Sequence, residues 1–318
     1  MTYAFDPELV DSIAAFPINI LGAYQKTRDT FYALNAARNE RLDYSGVFVT
    51  EQIISGPTGA PDIKLRIYTP KGLTKAVPGL LCFHGGGFVL GDLEGEHSSY
   101  LKLCRELRIV AVAVEYRLAP EAPYPAALND SHCALSWVSK NAAQIHIDPQ
   151  RLGTYGQSAG ACLATALALK SRDENGPALC FQYLGIPVLD DRMETVSMEK
   201  FVDTPLWDSG CTQLAWDYYL GDDYQRGSTD VPYLAAPARV TDVTGLPPTY
   251  ISTMEFDPLR DEGVQFAVRL MQAGVQTELH CFPGTFHGSF MIPKAEISKR
   301  EADEMLKVIR RGLKCDKA

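Results

Sequence analysis

The spacing of apolar residues changes along the chain, and each change predicts a different kind of element. Before Ser45, apolar side chains recur at the three- to four-residue spacing of helices that bury one face; examples are Ile13, Phe16, Ile20, Tyr24, Phe31 and Leu34. Residues 47–50 then form a short β-prone run, and residues 63–67 alternate apolar with charged side chains, as strands do. The pattern therefore predicts helices first and a pair of strands after them.

Beyond residue 72, short apolar runs alternate with longer helical segments. The runs lie at 80–83, 109–114, 179–184, 248–253 and 278–282, and their lack of polar alternation is typical of strands covered on both faces. The helical segments lie at 98–107, 125–141, 159–170, 259–273 and 293–313. This order predicts an α/β protein with a mostly parallel central sheet and helices on both faces.

One region, residues 190–237, interrupts this alternation. It is rich in Asp, Met and aromatic residues, and it carries too many large apolar groups to leave in water, among them Phe201, Leu206, Trp207, Trp216, Tyr218 and Tyr219. Such a patch is expected to cover another surface. We therefore predict cap helices at 1–45 and a catalytic domain at 46–318, with a helical cap insertion at about 190–235. An ordinary surface excursion is the alternative.

Composition narrows the function classes. The 318 residues are 46% apolar and carry a net charge of −9, which argues against a nucleic-acid or anionic-membrane partner. No uninterrupted apolar run reaches the roughly 18 residues of a membrane span, and the N-terminal residues lack the basic and apolar regions of a signal peptide. The eight cysteines are scattered without a C-x-x-C pair. We expect a cytoplasmic protein with reduced cysteines.

The first candidate for chemistry is the pentapeptide at 156–160, a G-x-S-x-G centred on Ser158. It follows the strand-like residues 151–155 and opens a helix rich in small residues, which is the context of a nucleophile elbow. The serine would lie on a tight turn, with the helix N-terminus and the amide of Ala159 directed toward it. The alternative is an ordinary strand-to-helix turn with Ser158 as the helix cap.

A second candidate is the run of three glycines after His84, which directly follows a strand. Consecutive glycines are costly in entropy, so they indicate a backbone that must approach a ligand closely. Their amides can stabilise a developing oxyanion, and we assign this role to Gly85 and Gly86 together with Ala159. A phosphate cradle would need a following Lys-Ser/Thr, which is missing. His84 is predicted to shape the loop.

Two further polar residues follow later strands. Asp257 comes after the run at 248–253 and His287 after the run at 278–282, at the carboxyl ends where α/β sheets build their sites. With Ser158 they give the order Ser, Asp, His of the α/β-hydrolases. His287 would act as general base, and Asp257 would hold its tautomer. Separately, Asp257 could cap a helix ahead of Pro258, and His287 could be a loop residue.

The chain resembles the hormone-sensitive-lipase-like (type IV, bacterial-esterase-like) branch of the α/β-hydrolases. Five motifs carry this resemblance: His84-Gly85-Gly86-Gly87-Phe88, Tyr116-Arg117-Leu118-Ala119-Pro120-Glu121, Gly156-Gln157-Ser158-Ala159-Gly160, Asp257-Pro258-Leu259-Arg260-Asp261-Glu262 and His287-Gly288. The resemblance implies an α/β-hydrolase fold, a cap built from the N-terminus and an insertion, and hydrolysis of small-molecule esters. It leaves open a homodimer through the last strand and helix.

This chain departs from that family in its elbow. Gln157 stands where the family usually has an acid, and Ala161 where it has a glycine, which changes local electrostatics without touching the triad. Arg117 and Glu121 of the second motif are predicted to form a partly buried ion network with Asp130, which follows it. Residues predicted to line the substrate pocket are Phe88, Phe201, Leu206 and Trp207.

Three functions fit these motifs. The first is a serine carboxylesterase acting on short- to medium-chain esters. The second keeps the triad but cleaves another bond, as an amidase, a deacetylase or a hydrolase dedicated to one secondary metabolite. The third is a small-molecule receptor like the plant gibberellin receptors, which lack a complete triad, so the presence of His287 favours an enzyme. We expect no metal, because the histidines are spread apart, and no cofactor, because acyl transfer through serine needs none.

Overall fold

An eight-stranded sheet forms the centre of the computed structural model, which describes residues 3–17 and 20–315. The strands are β1 (Val47–Ile54), β2 (Ile63–Pro70), β3 (Val77–Phe83), β4 (Val110–Glu115), β5 (Ile147–Gln157), β6 (Gln182–Gly185), β7 (Thr249–Phe256) and β8 (Thr277–Phe286). Their spatial order is β1-β2-β4-β3-β5-β6-β7-β8. Strand β2 is antiparallel to both its neighbours, and the other pairs are parallel, so the predicted mostly parallel sheet is confirmed.

Helices cover both faces of this sheet, as the sequence predicted. They are α1 (Pro7–Ile13), α2 (Tyr24–Asn39), α3 (His97–Leu107), α4 (Ala126–Asn141), α5 (Ala159–Asp173), α6 (Val196–Lys200), α7 (Ser209–Leu220), α8 (Arg260–Gln272) and α9 (Glu296–Gly312). Alternate residues of β3 divide between the two layers. Leu80 and Cys82 pack with α3 and α9, whereas Leu81 and Phe83 belong to the core formed with α4, α5 and α8.

The carboxyl ends of four strands bring the predicted site residues to one edge of the sheet. Strands β3 and β5 are parallel neighbours, and Phe83 at the end of β3 is paired with Gly156 near the end of β5. Strands β7 and β8 are also parallel, with Phe256 paired with Phe286 at their ends. The triple-glycine loop, Ser158, Asp257 and His287 each follow one of these strand ends, so topology gathers segments that are far apart in sequence.

The N-terminal helices pack at the same edge. From α2, Arg28 donates to the carbonyl oxygens of Val89 (2.7 Å) and Ala119 (2.8 Å), which lie next to the triple-glycine loop and in the second motif. Before and after α1, the rings of Phe5 and Phe16 each lie 5.5 Å from the ring of Phe286 at the end of β8. These contacts hold the N-terminal segment against the strand ends that carry the site.

The predicted ion network forms only in part. Asp130 is fully buried and accepts hydrogen bonds from Nε and Nη2 of Arg117, at 2.9 and 2.7 Å. Glu121 is not a member, because its carboxylate pairs with Arg28 of α2 at 2.8 Å. The sequence predicted Arg117 as the partner of Glu121, because both lie in the same motif. The tertiary fold instead brings Arg28 of α2 next to the exposed Glu121 side chain.

The predicted boundaries 1–45 and 46–318 include residues 1–2, 18–19 and 316–318, which lie outside the described residues. Within the predicted insertion, the buried Asp191 accepts a hydrogen bond from the guanidinium of Arg239 at 2.5 Å. The Gly227 amide also donates to this carboxylate, at 2.8 Å, so Asp191 connects the start of the insertion to its later part and to Arg239 just after it. No helix in the described part of the chain is both long enough and apolar enough to cross a bilayer.

Candidate active site

Ser158 occupies the sharp turn between β5 and α5. Its φ of 53° and ψ of −115° lie where L-residues are strained, and its amide donates to the carbonyl oxygen of Gly185 at 2.8 Å. A Cβ on Gly160 would lie 2.1 Å from the carbonyl oxygen of Phe83, and one on Gly156 would lie 2.2 Å from the backbone of Gly160. Both glycines are therefore required where strand and helix meet, which explains the G-x-S-x-G pattern.

Asp257 and His287 form a buried pair after the ends of β7 and β8. The Nδ1 atom of His287 lies 2.7 Å from Oδ2 of Asp257, and Oδ1 of the same carboxylate accepts a hydrogen bond from the Leu259 amide at 2.9 Å. Asp257 is 1% exposed and His287 5%. The carboxylate is thus fixed by two bonds and orients the ring, leaving Nε2 as the nitrogen able to accept a proton.

The triple-glycine loop lies beside Ser158. A Cβ placed on Gly85 would be 3.2 Å from the Gln157 carbonyl oxygen and 3.6 Å from the Cβ of Ser158, so the loop packs directly against the serine turn. His84 Nδ1 donates to the Gly85 carbonyl oxygen at 2.7 Å, and the hydroxyl of Tyr116 donates to the His84 carbonyl oxygen at 2.7 Å. Burial lowers the pKa of His84 to about 4. The neutral His84 ring therefore braces the loop, in agreement with the structural role predicted for it.

The amide of Gly85 does not face the nucleophile. It donates to Oε1 of Glu96 at 3.0 Å, so it is not available to an oxyanion on the side of Ser158. The interpretation of Gly85 as an oxyanion donor is therefore wrong. Glu96 carried no motif signal in the sequence, apart from being an acid two residues before a predicted helix.

The four predicted pocket residues occupy different places. The ring of Trp207 covers the glycine loop, since a Cβ on Gly87 would lie 2.4 Å from it, and it lies 5.5 Å from the ring of His287. Leu206 lies against Gly288, the residue after His287, where a Cβ would be 2.6 Å from the leucine side chain. These two insertion residues therefore border the candidate site directly.

Phe88 and Phe201 pack against other aromatic rings of the protein. Phe88 is stacked on Tyr219 of α7, with ring centroids 3.8 Å apart, and thereby joins the glycine loop to the insertion. Phe201 packs edge-on against Tyr3 and Phe256, with centroids at 5.7 and 6.1 Å. Phe201 thus lies in an aromatic cluster with the N-terminal segment, next to the strand end that carries Asp257.

The two departures from the family elbow are both buried. The side-chain amide of Gln157 donates to the hydroxyl of Tyr155 at 3.1 Å. It also fills the space beside Gly185, where a Cβ would lie only 1.9 Å from Oε1 of Gln157. Ala161 lies in the first turn of α5 and is fully buried. An uncharged residue at 157 suits this enclosed position, since a carboxylate there would have to be desolvated.

Within residues 3–17 and 20–315, no cluster of three or more His, Cys, Asp or Glu side chains is arranged to hold a metal ion. What the site offers is an acyl-transfer arrangement: a serine at a helix N-terminus, a buried acid–histidine pair and a loop of backbone amides. A serine of this kind is activated by an adjacent base that a third group orients.

Comparison with known proteins agrees with this arrangement. Residues 80–291 match the family model described as alpha/beta hydrolase fold. The chain belongs to this α/β-hydrolase family, in its hormone-sensitive-lipase-like (type IV) branch.

Individual relatives are similar over most of their length. Carboxylesterase NlhH of Mycobacterium tuberculosis is 38% identical over 240 residues, which are 75% of this chain and 74% of the relative. The versiconal hemiacetal acetate esterase of Dothistroma septosporum is 30% identical over 89% of this chain and 88% of its own. The solved structure of a bacterial heroin esterase is 48% identical, with a TM-score of 0.95 and 98% of both chains covered.

Proposed function

We propose that this carboxylic ester hydrolase cleaves short- to medium-chain esters of small molecules through an acyl-enzyme formed on Ser158. The observation that carries the proposal is the 2.7 Å contact between His287 Nδ1 and Asp257 Oδ2, at the same sheet edge as the strained serine turn. In this mechanism His287 takes the proton of Ser158 as the hydroxyl attacks the ester carbonyl. It then returns that proton to the leaving alkoxide, and water repeats the sequence to release the acid.

The oxyanion is stabilised by backbone amides of the glycine loop and of the first helical residue. Since the Gly85 amide is taken by Glu96, we assign the role to the amides of Gly86 and Gly87, together with that of Ala159 at the start of α5. Helix α5 adds the partial positive charge of its N-terminus at this position. Such preorganised donors are worth about 10²- to 10³-fold each in rate.

A limited acyl pocket follows from the insertion. Trp207 lies over both Gly87 and His287, which narrows the space above the nucleophile. Relatives with acetate esterase or carboxylesterase in their names are compatible with small acyl groups. We further propose that residues 1–45 and about 190–235 together form the cap, because Phe5, Phe16 and Arg28 of the first segment and Trp207 of the second pack at the sheet edge that carries the candidate triad.

The test is hydrolysis of p-nitrophenyl acetate by wild type and by Ser158→Ala. We expect the variant to lose about 10⁴-fold or more in kcat while keeping its fold, because the nucleophile is removed and nothing else changes. Ser171→Ala is the matched control, since Ser171 lies near the other end of α5 and its hydroxyl donates to the nearby Pro177 carbonyl oxygen. Undiminished turnover by Ser158→Ala would overturn the assignment.

A further inference from the structure

A buried carboxylate lies behind the glycine loop. Glu96 immediately precedes α3, and its Oε1 accepts the hydrogen bond of the Gly85 amide at 3.0 Å. Although part of the residue reaches the surface, its other carboxyl oxygen, Oε2, is inaccessible to solvent. Placing a carboxyl group in such a position is costly, and the hydrogen bond from the Gly85 amide offsets part of that cost.

The bond to Glu96 completes a set of contacts that hold consecutive peptide groups of the loop. Tyr116 holds the carbonyl of His84, Glu96 holds the amide of Gly85, and the His84 ring holds the carbonyl of Gly85. In a planar trans peptide the carbonyl and the following N–H point in opposite directions. Fixing the Gly85 carbonyl toward His84 therefore directs the Gly86 N–H away from His84.

The surroundings of Glu96 contain neutral titratable groups from every neighbouring element. They are Cys82 of β3, His84 after it, Tyr100 and His97 of α3, Tyr116 after β4 and Tyr155 of β5. Burial raises the pKa values of the thiol and the three phenols and lowers those of the two imidazoles, so each is uncharged near neutral pH. Burial likewise raises the pKa of Glu96 to about 7, against the opposing effects of the Gly85 amide and the Tyr100 hydroxyl.

We propose that Glu96 is a positioning residue, which holds the Gly85 amide so that the amides of Gly86 and Gly87 face the oxyanion. The inference rests on the proposed function, because it concerns the same acyl-transfer site. A carboxylate accepts a hydrogen bond more strongly than a neutral carboxyl group does. The loop is therefore held best when Glu96 is ionised, and kcat falls as Glu96 takes up a proton.

The experiment measures kcat and KM for p-nitrophenyl acetate across neutral pH, with active sites counted by titration with a p-nitrophenyl phosphonate. For Glu96→Ala we expect kcat per titrated site to fall about 10- to 100-fold with KM nearly unchanged, because a loop misplaced by a fraction of an ångström affects the transition state most. Glu96→Gln retains an acceptor oxygen, so it should recover activity to within about fivefold of wild type.

The pH profile separates positioning from a purely structural role. Wild type should show an inflection near pH 7, the pKa of Glu96, and Glu96→Gln should lack this inflection, because every other titrating group is common to the two proteins. Glu301→Gln is the matched control, since Glu301 is another buried glutamate, on α9, whose pKa burial raises to about 8. That control should keep the wild-type profile.

Three results would overturn the inference: wild-type kcat per site in Glu96→Ala, an unchanged inflection in Glu96→Gln, or a Glu96→Gln enzyme faster than wild type. The last would mean that the carboxylate charge opposes the oxyanion more than its hydrogen bond helps. If Glu96→Ala does not fold, the profile of Glu96→Gln decides alone. Failure of the proposed function looks different, since wild type itself would then leave the ester intact.

Discussion

Single residues at the site are held by more than one contact, and Asp257 illustrates why this matters. One carboxylate oxygen is bound by the Leu259 amide, so the other is fixed against His287 Nδ1. With 1% exposure the carboxylate is shielded from bulk solvent. The histidine tautomer is consequently set by a group that cannot rotate, which is the condition for Nε2 to serve as the base.

Asp257→Asn tests this residue-scale argument. The amide nitrogen can replace the oxygen facing Nδ1, which favours the tautomer that lacks a free basic nitrogen toward Ser158. We expect kcat for p-nitrophenyl acetate to drop by about 10⁴-fold with little loss of stability. The control is Asp261→Asn in the same motif, whose carboxylate binds the Ser197 amide and Arg260 rather than a histidine. Equal losses in the two variants would contradict the assigned role.

Among the elements, the segment between α6 and α7 has the most direct influence on the site. Trp207 lies in this segment, and its indole N–H donates to the hydroxyl of Thr212 in the first turn of α7 at 2.9 Å. Asp208 caps the same helix by accepting from the Cys211 amide at 2.8 Å. The indole ring is thus anchored by a hydrogen bond to a capped helix, and this anchor fixes its position over Gly87 and His287.

Trp207→Ala should enlarge the acyl pocket. Removing the indole opens space beside Gly87 and His287, so the ratio of kcat/KM for p-nitrophenyl octanoate over acetate should rise about tenfold. Trp207→Phe keeps a ring without the bond to Thr212 and should shift this ratio less. A series of acyl chains of graded length measures both variants. If Trp207→Ala shows the same preference for acyl-chain length as wild type, Trp207 does not line the acyl pocket.

At the scale of the whole molecule, burial of carboxyl groups couples stability to pH. Burial raises the pKa of Glu301 from 4.5 to about 8, so the folded state binds this proton more tightly than the unfolded state. Both states are protonated below the unfolded pKa of 4.5. As pH rises from there to about 8, the unfolded state loses its proton first, and the free energy of unfolding falls. Above about pH 8 both states are deprotonated at Glu301, and the stabilisation that its proton provided is fully lost.

Glu301→Gln removes this dependence. Between about pH 5 and about pH 9, the free energy of unfolding of the variant should fall less than that of wild type, by on the order of a few kcal/mol. Urea denaturation at several pH values gives the two curves. Glu296→Gln, at an exposed glutamate of the same helix, should follow wild type. Parallel curves for Glu301→Gln and wild type would show that Glu301 is not desolvated in the folded protein.

The local pattern of apolar and polar residues was enough to predict the strands and helices and the order of the candidate triad residues along the chain. Apolar runs predicted the central strands, although β6 begins at Gln182 rather than at 179, and the glycines of the elbow followed from strand–helix contact. The triad candidates could be named because each follows a strand, and parallel strands end at one edge of a sheet. These inferences depend only on neighbours within a few residues and on the topology rules that such neighbours imply.

Tertiary structure alone decided which partner each polar group takes. The Gly85 amide binds a glutamate eleven residues away rather than facing the oxyanion, and Glu121 pairs with Arg28 across 93 residues. Phe201 joins aromatic rings of the N-terminal segment, whereas Trp207 reaches the site. A hydrogen bond forms where the fold brings a donor and an acceptor within bonding distance, at a suitable angle and away from competing water. The periodicity of apolar residues contains none of this information, so the sequence specified the candidate catalytic groups, and the fold decided which loop amides are available for the proposed oxyanion hole.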